Sequence, residues 1–387
     1  MAAVLCQFGK ITCLTGEVPE QTCRSAVAYR DVGEGREQEA EASPARIAAR
    51  RRSYRMIFCN NWVSAMTKAA AEDYAFYQVV PGDNSFQQEV IDGLSRQPRC
   101  IPPKYFYDRD GSRLFESICE QPEYYPTRTE TALLKQYADE IAAVAASDCH
   151  LIEPGSGSCE KVRHLLDALQ PAAYVPLDIS CEFLEKAAAG IADDYPWLDV
   201  HAVCTDITTE VSLPFIPEQA DAVMFYPGSS IGNFDPDDAR AFLACLANIS
   251  GAGGGLLIGV DLKKAPEILD AAYNDVNGVT AAFNLNLLRR INRELAGDFD
   301  TEAFAHHAFY NSARGRVEMH LISERRQTVS VDGHIFEFNA GDSIHTENSY
   351  KYTIDEFQTL AQQAGFTACR VWSDNDDLFS LHYLQVA

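Results

Sequence analysis

The stretch LIEPGSGSCEKVRHLLDAL, Leu151 to Leu169, decides the fold. It reads as a short apolar strand, a glycine turn and an amphipathic helix, one unit of an alternating pattern. Further strands are predicted in AYVPLD, DVHAVC, ADAVMFYPG and GGLLIGVD, with helices between them in CEFLEKAAAGIADDY and DDARAFLACLANI. Near-continuous apolar strands alternating with helices imply an α/β fold with a parallel, doubly wound sheet. Upstream, SFQQEVIDGLSRQP and TETALLKQYADEIAAVAA carry helical spacing. From about Arg316 the pattern changes. RVEMHLIS, RQTVSV, HIFEFNAG and FSLHYLQV have period-two features, and Asp332-Gly333 is a tight-turn signal. These are predicted as antiparallel strands, some extending the main sheet.

In an open parallel sheet, ligands bind beyond the carboxyl ends of the strands. The turn Glu153-Pro154-Gly155-Ser156-Gly157 sits at such an end. A phosphate-binding P-loop motif is absent, and Glu160 stands where a dinucleotide fingerprint needs glycine or alanine. A pyrophosphate would also meet two carboxylates there, Glu153 and Glu160. A cationic or neutral ligand fits better, and S-adenosylmethionine, with a positive sulfonium and no phosphate, is such a ligand. Glu153, Asp178 and Asp206 end three successive predicted strands. Asp178 is placed for ribose hydroxyls and Asp206 for the adenine side. The fourth strand runs into FYPGSSIGNFDPDDA, where Gly228 and Asn233 can present backbone groups and a carboxamide to a small polar substrate. Asp235 as N-cap and Pro236 at the first helical position start the next helix.

Bulk properties narrow the partners. The chain has 387 residues, 47% hydrophobic and 23% charged, with a net charge of -24. That balance argues against nucleic acid, which needs a basic surface. No apolar run approaches the roughly 18 residues of a membrane span. Twelve cysteines without a C-x-x-C pair read as reduced thiols of a cytoplasmic protein. Residues 1–65 are poor in apolar side chains and carry mixed charge clusters, so a disordered extension is expected, with Met66 an alternative start. No metal is expected: His306-His307 lacks a partner at ligand spacing, and DRDGSRLFE lacks the spaced acids of a calcium loop.

The chain from about Phe86 onward resembles the histidine-specific Nα-methyltransferases of ergothioneine biosynthesis. The resemblance is carried by IPPKYFYDRDGSRLFESICEQPEYYPTRTE, IEPGSGSCEKVRHLLDAL, YVPLDIS, FYPGSSIGNFDP, DAAYNDVNGVTAAFNLNLLRRINRELAGDFD, RVEMHL and HTENSYKYT. It implies a Rossmann-type methyltransferase sheet with a second, α+β substrate-binding domain. It implies three methyl transfers from S-adenosylmethionine to the α-amine of L-histidine, giving hercynine. Related enzymes acting on tryptophan derivatives share the fold, and a thiolated histidine is a further alternative substrate. On the cofactor side the resemblance implies Gly155, Lys161, Asp178, Asp206 and Ile207, beside Glu153, Ser156 and Gly157 of the turn. On the substrate side it implies Tyr107 and Gly228 at the amine, and Asn233 and Tyr273 at the carboxylate. Tyr125, Glu347 and Ser349 are implied at the imidazole, with Met319 against the ring and Thr280 nearby. Pro154 and Pro227 depart from the family pattern.

The organisation expected is an extension over 1–65, a helical part of the substrate domain over 66–130, and a cofactor domain over 131–265. A substrate-binding insertion over 266–355 follows, and a helix and strand over 356–387 complete the sheet. The expected partner is a small amino acid, and the expected state a monomer.

Overall fold

A computed structural model describes residues 54–57, 66–70, 74–79, 85–146, 148–206, 213 and 221–387. The expectation of disorder over 1–65 lies outside these residues, apart from Tyr54–Ile57, which form a strand.

The apolar runs become strands because each buries both faces between helices. The strands are β1 (Tyr54–Ile57), β2 (Met66–Ala70), β3 (Ala75–Val79), β4 (Arg99–Cys100), β5 (His150–Pro154), β6 (Ala173–Asp178), β7 (Asp199–Cys204) and β8 (Ala222–Tyr226). They continue with β9 (Gly255–Asp261), β10 (Phe304–Asn311), β11 (Arg316–Ser323), β12 (Gln327–Val331), β13 (His334–Phe338), β14 (Ser343–Tyr350), β15 (Phe366–Ser373) and β16 (Phe379–Val386). The helices are α1 (Ser85–Ser95), α2 (Arg109–Cys119), α3 (Tyr125–Val144), α4 (Arg163–Leu169), α5 (Cys181–Asp194), α6 (Pro236–Ser250), α7 (Pro266–Tyr273), α8 (Val279–Glu294) and α9 (Ile354–Gln363).

The main sheet runs β1-β2-β3-β7-β6-β5-β8-β9-β16-β15. From β3 to β9 every pairing is parallel; β16 enters antiparallel to β9, as the FSLHYLQV pattern predicts. The chain steps outward from β5 to β7, then returns to β8 on the other side of β5. That reversal opens a crevice beyond the ends of β5 and β8. It puts the glycine turn after β5 beside the loop after β8. Tyr174 and Phe225 bury into the core on one face of the sheet, Val175 and Met224 on the other. Each such side chain contributes about 1.5–3 kcal/mol of burial.

Residues 66–70 and 75–79 differ from the expected helical segment: they are β2 and β3 of the main sheet. Helix α4 also starts later than the sequence suggests. Cys159 takes a positive φ of 56°, so Cys159 to Val162 stay in a turn and the helix begins at Arg163.

A second sheet, β10-β11-β14-β4, forms the substrate-side wall, with α7 and α8 packed on β10 and β11. The β12–β13 hairpin turns at Asp332-Gly333, both at positive φ, as the dipeptide predicts. Residues 52–387 form one compact unit, so the two sheets share one body.

Gly232 joins the two sheets. A Cβ there would lie 2.7 Å from the Tyr350 carbonyl oxygen and 3.1 Å from its nitrogen. Backbone cannot yield as a side chain tip can. Gly232→Ala is therefore expected to cost about 1–3 kcal/mol of overpacking, read as a lower denaturation midpoint.

One expectation is overturned. The cysteines do not all read as free thiols: Cys181, opening α5, and Cys204, closing β7, form a disulfide with Cα atoms 5.1 Å apart. Two neighbouring parallel strand ends bring them together, although 23 residues separate them in sequence. Only the sheet order reveals the pair.

Candidate active site

The glycine turn is built around Asp178. Gly155 and Gly157 adopt positive φ, 69° and 54°, which lets the chain reverse tightly. The N–H groups of Gly155 and Ser156 donate to the Leu177 carbonyl at 2.7 and 3.0 Å. The Gly157 N–H donates to Asp178 Oδ2 at 3.0 Å, and the Ser180 N–H to Oδ1 at 2.8 Å. Asp178 thus locks the turn to the end of β6. Burial raises its pKa, and these backbone bonds oppose the rise. Asp206 lies at the next strand end, paired with Lys104 at 3.1 Å. Ser156 Oγ is buried and bonds to no described residue. Strand-end acids, open glycine backbone and an unpaired hydroxyl fit a ligand with hydroxyls and positive charge.

Glu153, in β5, is buried. Its carboxyl is fully enclosed and accepts a short hydrogen bond from the Tyr174 hydroxyl. Burial pushes it up to about 8. Its hydrogen bond with Tyr174 braces β5 against β6. Ile207 lies outside the described residues.

Lys161 reaches the other way, to Glu130 at 2.5 Å. Glu130, on α3 and fully buried, also accepts the Gly228 N–H at 2.9 Å. Gly259 makes room for this carboxylate; a Cβ there would overlap Glu130 Oε1. Sequence reasoning missed Glu130, a charge on the buried face of a helix. It ties the turn after β5 to the loop after β8. Glu130→Gln keeps an acceptor for Gly228 but removes the countercharge of Lys161. The expected result is about a tenfold loss of cofactor affinity by calorimetry, from one weakened charged hydrogen bond.

Beside this crevice lies a cavity lined by Tyr107, Gly228, Asn233, Tyr273, Thr280, Met319, Glu347 and Ser349. These are eight of the nine residues assigned to amine and substrate. The ninth, Tyr125, does not line it. As the first residue of α3 it turns its hydroxyl onto Asp261, at 2.7 and 2.8 Å from the two carboxylate oxygens. Its neighbour Tyr124 lines the cavity instead, edge-on to Tyr273. Adjacent side chains at a helix start diverge, and the sequence EYY does not say which one faces in.

The strand β14 explains the rest. Met319 of β11 pairs in register with Glu347, and a bulge follows between Met319 and His320. Alternation sends Glu347, Ser349 and Lys351 to one face. Burial pushes the Glu347 carboxyl up to about 7, against the pull of the Lys351 ammonium. Lys351 and Asp261 form a buried ion pair at 2.7 Å. Burial disfavours the Asp261 carboxylate, but Lys351 and Lys264 outweigh this and hold its pKa below the ordinary value. Neither Asp261 nor Lys351 was singled out in the sequence. The strand-end rule that found Asp178 also reaches Asp261, and the period that links Glu347 to Ser349 reaches Lys351.

Tyr273 does not stand free for a carboxylate: its hydroxyl lies 2.8 Å from Ser349 Oγ. Tyr107 is enclosed by Phe115 and Phe283. Burial, then the charge of Glu347, keep its phenol pKa well above the ordinary value. Its neutral phenol is favoured there. The aromatic faces of Tyr107, Tyr124, Phe115 and Phe283 suit a cation inside the cavity.

His306 is structural, bridging Asn284 Nδ2 and the Tyr273 carbonyl oxygen, both at 2.9 Å. Among the described residues Glu318, His320 and His345 cluster on the far face of β11 and β14. Glu318 bonds Arg316, Asn311 and His320 Nε2, and His345 Nε2 bonds the Glu347 carbonyl.

Residues 86–386 match a family described as histidine-specific methyltransferase, SAM-dependent. The chain is 40% identical over 306 residues to the histidine N-alpha-methyltransferase of Mycobacterium tuberculosis, covering 78% of this chain and 94% of that protein. It is 32% identical to ergothioneine biosynthesis protein 1 of Neurospora crassa, over 74% of this chain and 33% of that one. It is also 28% identical to a 4-dimethylallyltryptophan N-methyltransferase of Claviceps purpurea, over 79% and 96%.

Proposed function

The chain belongs to the histidine-specific, SAM-dependent methyltransferase family, and we propose that it methylates the α-amine of L-histidine three times, giving hercynine, the first step of ergothioneine biosynthesis. One observation carries this reading to the substrate. Glu347 and Ser349, with Met319 paired across the strand, form a polar, size-limited end to a cavity whose other side meets the loop after β8. An imidazole fills such an end with two hydrogen bonds. A ring that cannot hydrogen-bond leaves a buried carboxylate without a partner, which is costly.

The donor, S-adenosylmethionine, supplies a methyl group on a cationic sulfur. Asp178 would take its ribose hydroxyls, Asp206 its adenine side, and the turn from Gly155 to Gly157 its close approach. Lys161 is a further candidate contact of the same turn. The protein then has mainly to align an amine with that methyl group, so orientation dominates. Tyr107 and the Gly228 carbonyl would hold the amine. The α-carboxylate falls to Asn233 with Tyr124, since the Tyr273 hydroxyl is engaged with Ser349. Thr280 closes the wall beside Tyr273. Aromatic faces accommodate the cation that grows with each transfer.

The negative net charge and the small cavity support an amino-acid partner and no nucleic acid. Among the described residues no helix is long and apolar enough to cross a membrane. A monomer that needs no metal completes the proposal. The indole-sized alternative is disfavoured by Met319, which is 2% exposed and closes the ring end. Incubating the purified protein with S-adenosylmethionine and all twenty amino acids, followed by mass spectrometry, tests the reading. Mono-, di- and trimethylated histidine are expected; methylation of another amino acid in its place overturns it.

A further inference from the structure

Lys351 lies at the inner wall of the cavity with its side chain 1% exposed. All three of its ammonium protons are engaged. Nζ donates to Asp261 Oδ2 at 2.7 Å, to Ser349 Oγ at 2.8 Å and to the Tyr273 hydroxyl oxygen at 3.2 Å. Tyr273 and Ser349 share a further hydrogen bond of 2.8 Å. Two hydroxyls bring two protons. One is consumed between them, and Lys351 fills an acceptor position on each, so a single proton is left for a ligand. A phenol is the stronger acid and an aliphatic hydroxyl the better acceptor, so Tyr273 donates to Ser349. Ser349 Oγ then accepts twice, its acceptor capacity is full, and it can only donate.

Glu347 stands two residues earlier on the same face. Against the burial that favours its protonated form, the charge of Lys351 favours the carboxylate, which only accepts. One buried ammonium therefore fixes the polarity of Ser349 and biases Glu347 toward its accepting form.

We propose that Lys351 is a specificity-determining positioning residue: it fixes Ser349 as a donor beside the acceptor Glu347, so that the cavity matches a ring with one N–H and one bare nitrogen, the neutral imidazole. This rests on the reading of the cavity as the histidine site. An imidazolium would set an N–H against the Ser349 O–H. A pyrrole or indole would leave that O–H buried and unpaired, which is penalised.

The test compares L-histidine with the two pyrrolylalanine isomers, which keep one ring N–H and carry C–H in place of the bare nitrogen. Inhibition and kcat/KM are measured in wild type and in Lys351→Met, with cofactor affinity as the folding control. The variant is expected to lose about tenfold or more for histidine and little for the pyrroles, so that the preference narrows by about the same factor. A merely structural role would lower both alike. Ser349→Ala leaves the Lys351–Asp261 pair intact and should narrow the preference in the same way, which keeps the inference testable if the Met variant does not fold. Equal losses for both rings overturn it. Failure of the underlying reading is distinct, because wild type would then produce no methylated histidine.

Discussion

Glu347→Gln is expected to lower kcat/KM for histidine by about ten- to a hundredfold, the cost of a buried charged hydrogen bond turned into a mismatched neutral one. The same change should stabilise the protein, and the sign follows from the raised pKa. In the folded protein the carboxyl titrates at about 7, against an ordinary 4.5. Below pH 4.5 the group is protonated in both states and costs nothing. Between 4.5 and 7 the unfolded chain releases its proton first, so wild type loses stability as pH rises, by roughly 3 kcal/mol at most. Glutamine carries no such term. The melting temperature of the variant should exceed that of wild type at pH 8, and the gap should close near pH 4. Adding Met319→Val opens the ring end, and some activity toward tryptophan is expected. Unchanged histidine kinetics would remove Glu347 from the ring site, whereas a pH-independent stability difference would show that its carboxylate is not strained by burial.

Asp178→Ala should be more severe, because this carboxylate has two duties. It would accept two ribose hydroxyls, each bond worth about 1.5–3 kcal/mol when charge-assisted. It also holds the Gly157 and Ser180 N–H groups. Cofactor affinity is expected to fall by more than a hundredfold in calorimetry. Asp178→Asn keeps one acceptor oxygen and should fall between. An alanine variant that binds the cofactor as wild type does would remove Asp178 from the site.

The doubly wound sheet was legible because parallel strands buried on both faces write themselves as apolar runs, as AVMFY and GLLIGVD do. Strands β2 and β3 were not, because they lie in a stretch without clear alternation. The substrate wall was legible at Glu347 and Ser349 through a motif. Lys351 followed the same alternation, yet a lysine in a strand reads first as a solvated edge. Glu130 and the Cys181–Cys204 pair depend on which strands become neighbours, and no local pattern carries that information. Tyr124 and Tyr125 show the finest limit: one residue of helix phase decides which ring enters the cavity.

The in-register pairing of Met319 with Glu347 bears on how such an enzyme changes its diet. The two side chains that would meet the ring form a single rung of one ladder, with the bulge just beyond it. The donor would be handled elsewhere, by the strand ends around Asp178 and Asp206 and by the Glu130 brace. A lineage can therefore explore new amino acids by altering the two residues of one rung while the methyl-delivery machinery stays untouched. For laboratory evolution, saturating positions 319 and 347 together samples that route directly, whereas changes one at a time would cross intermediates whose ring and wall no longer match.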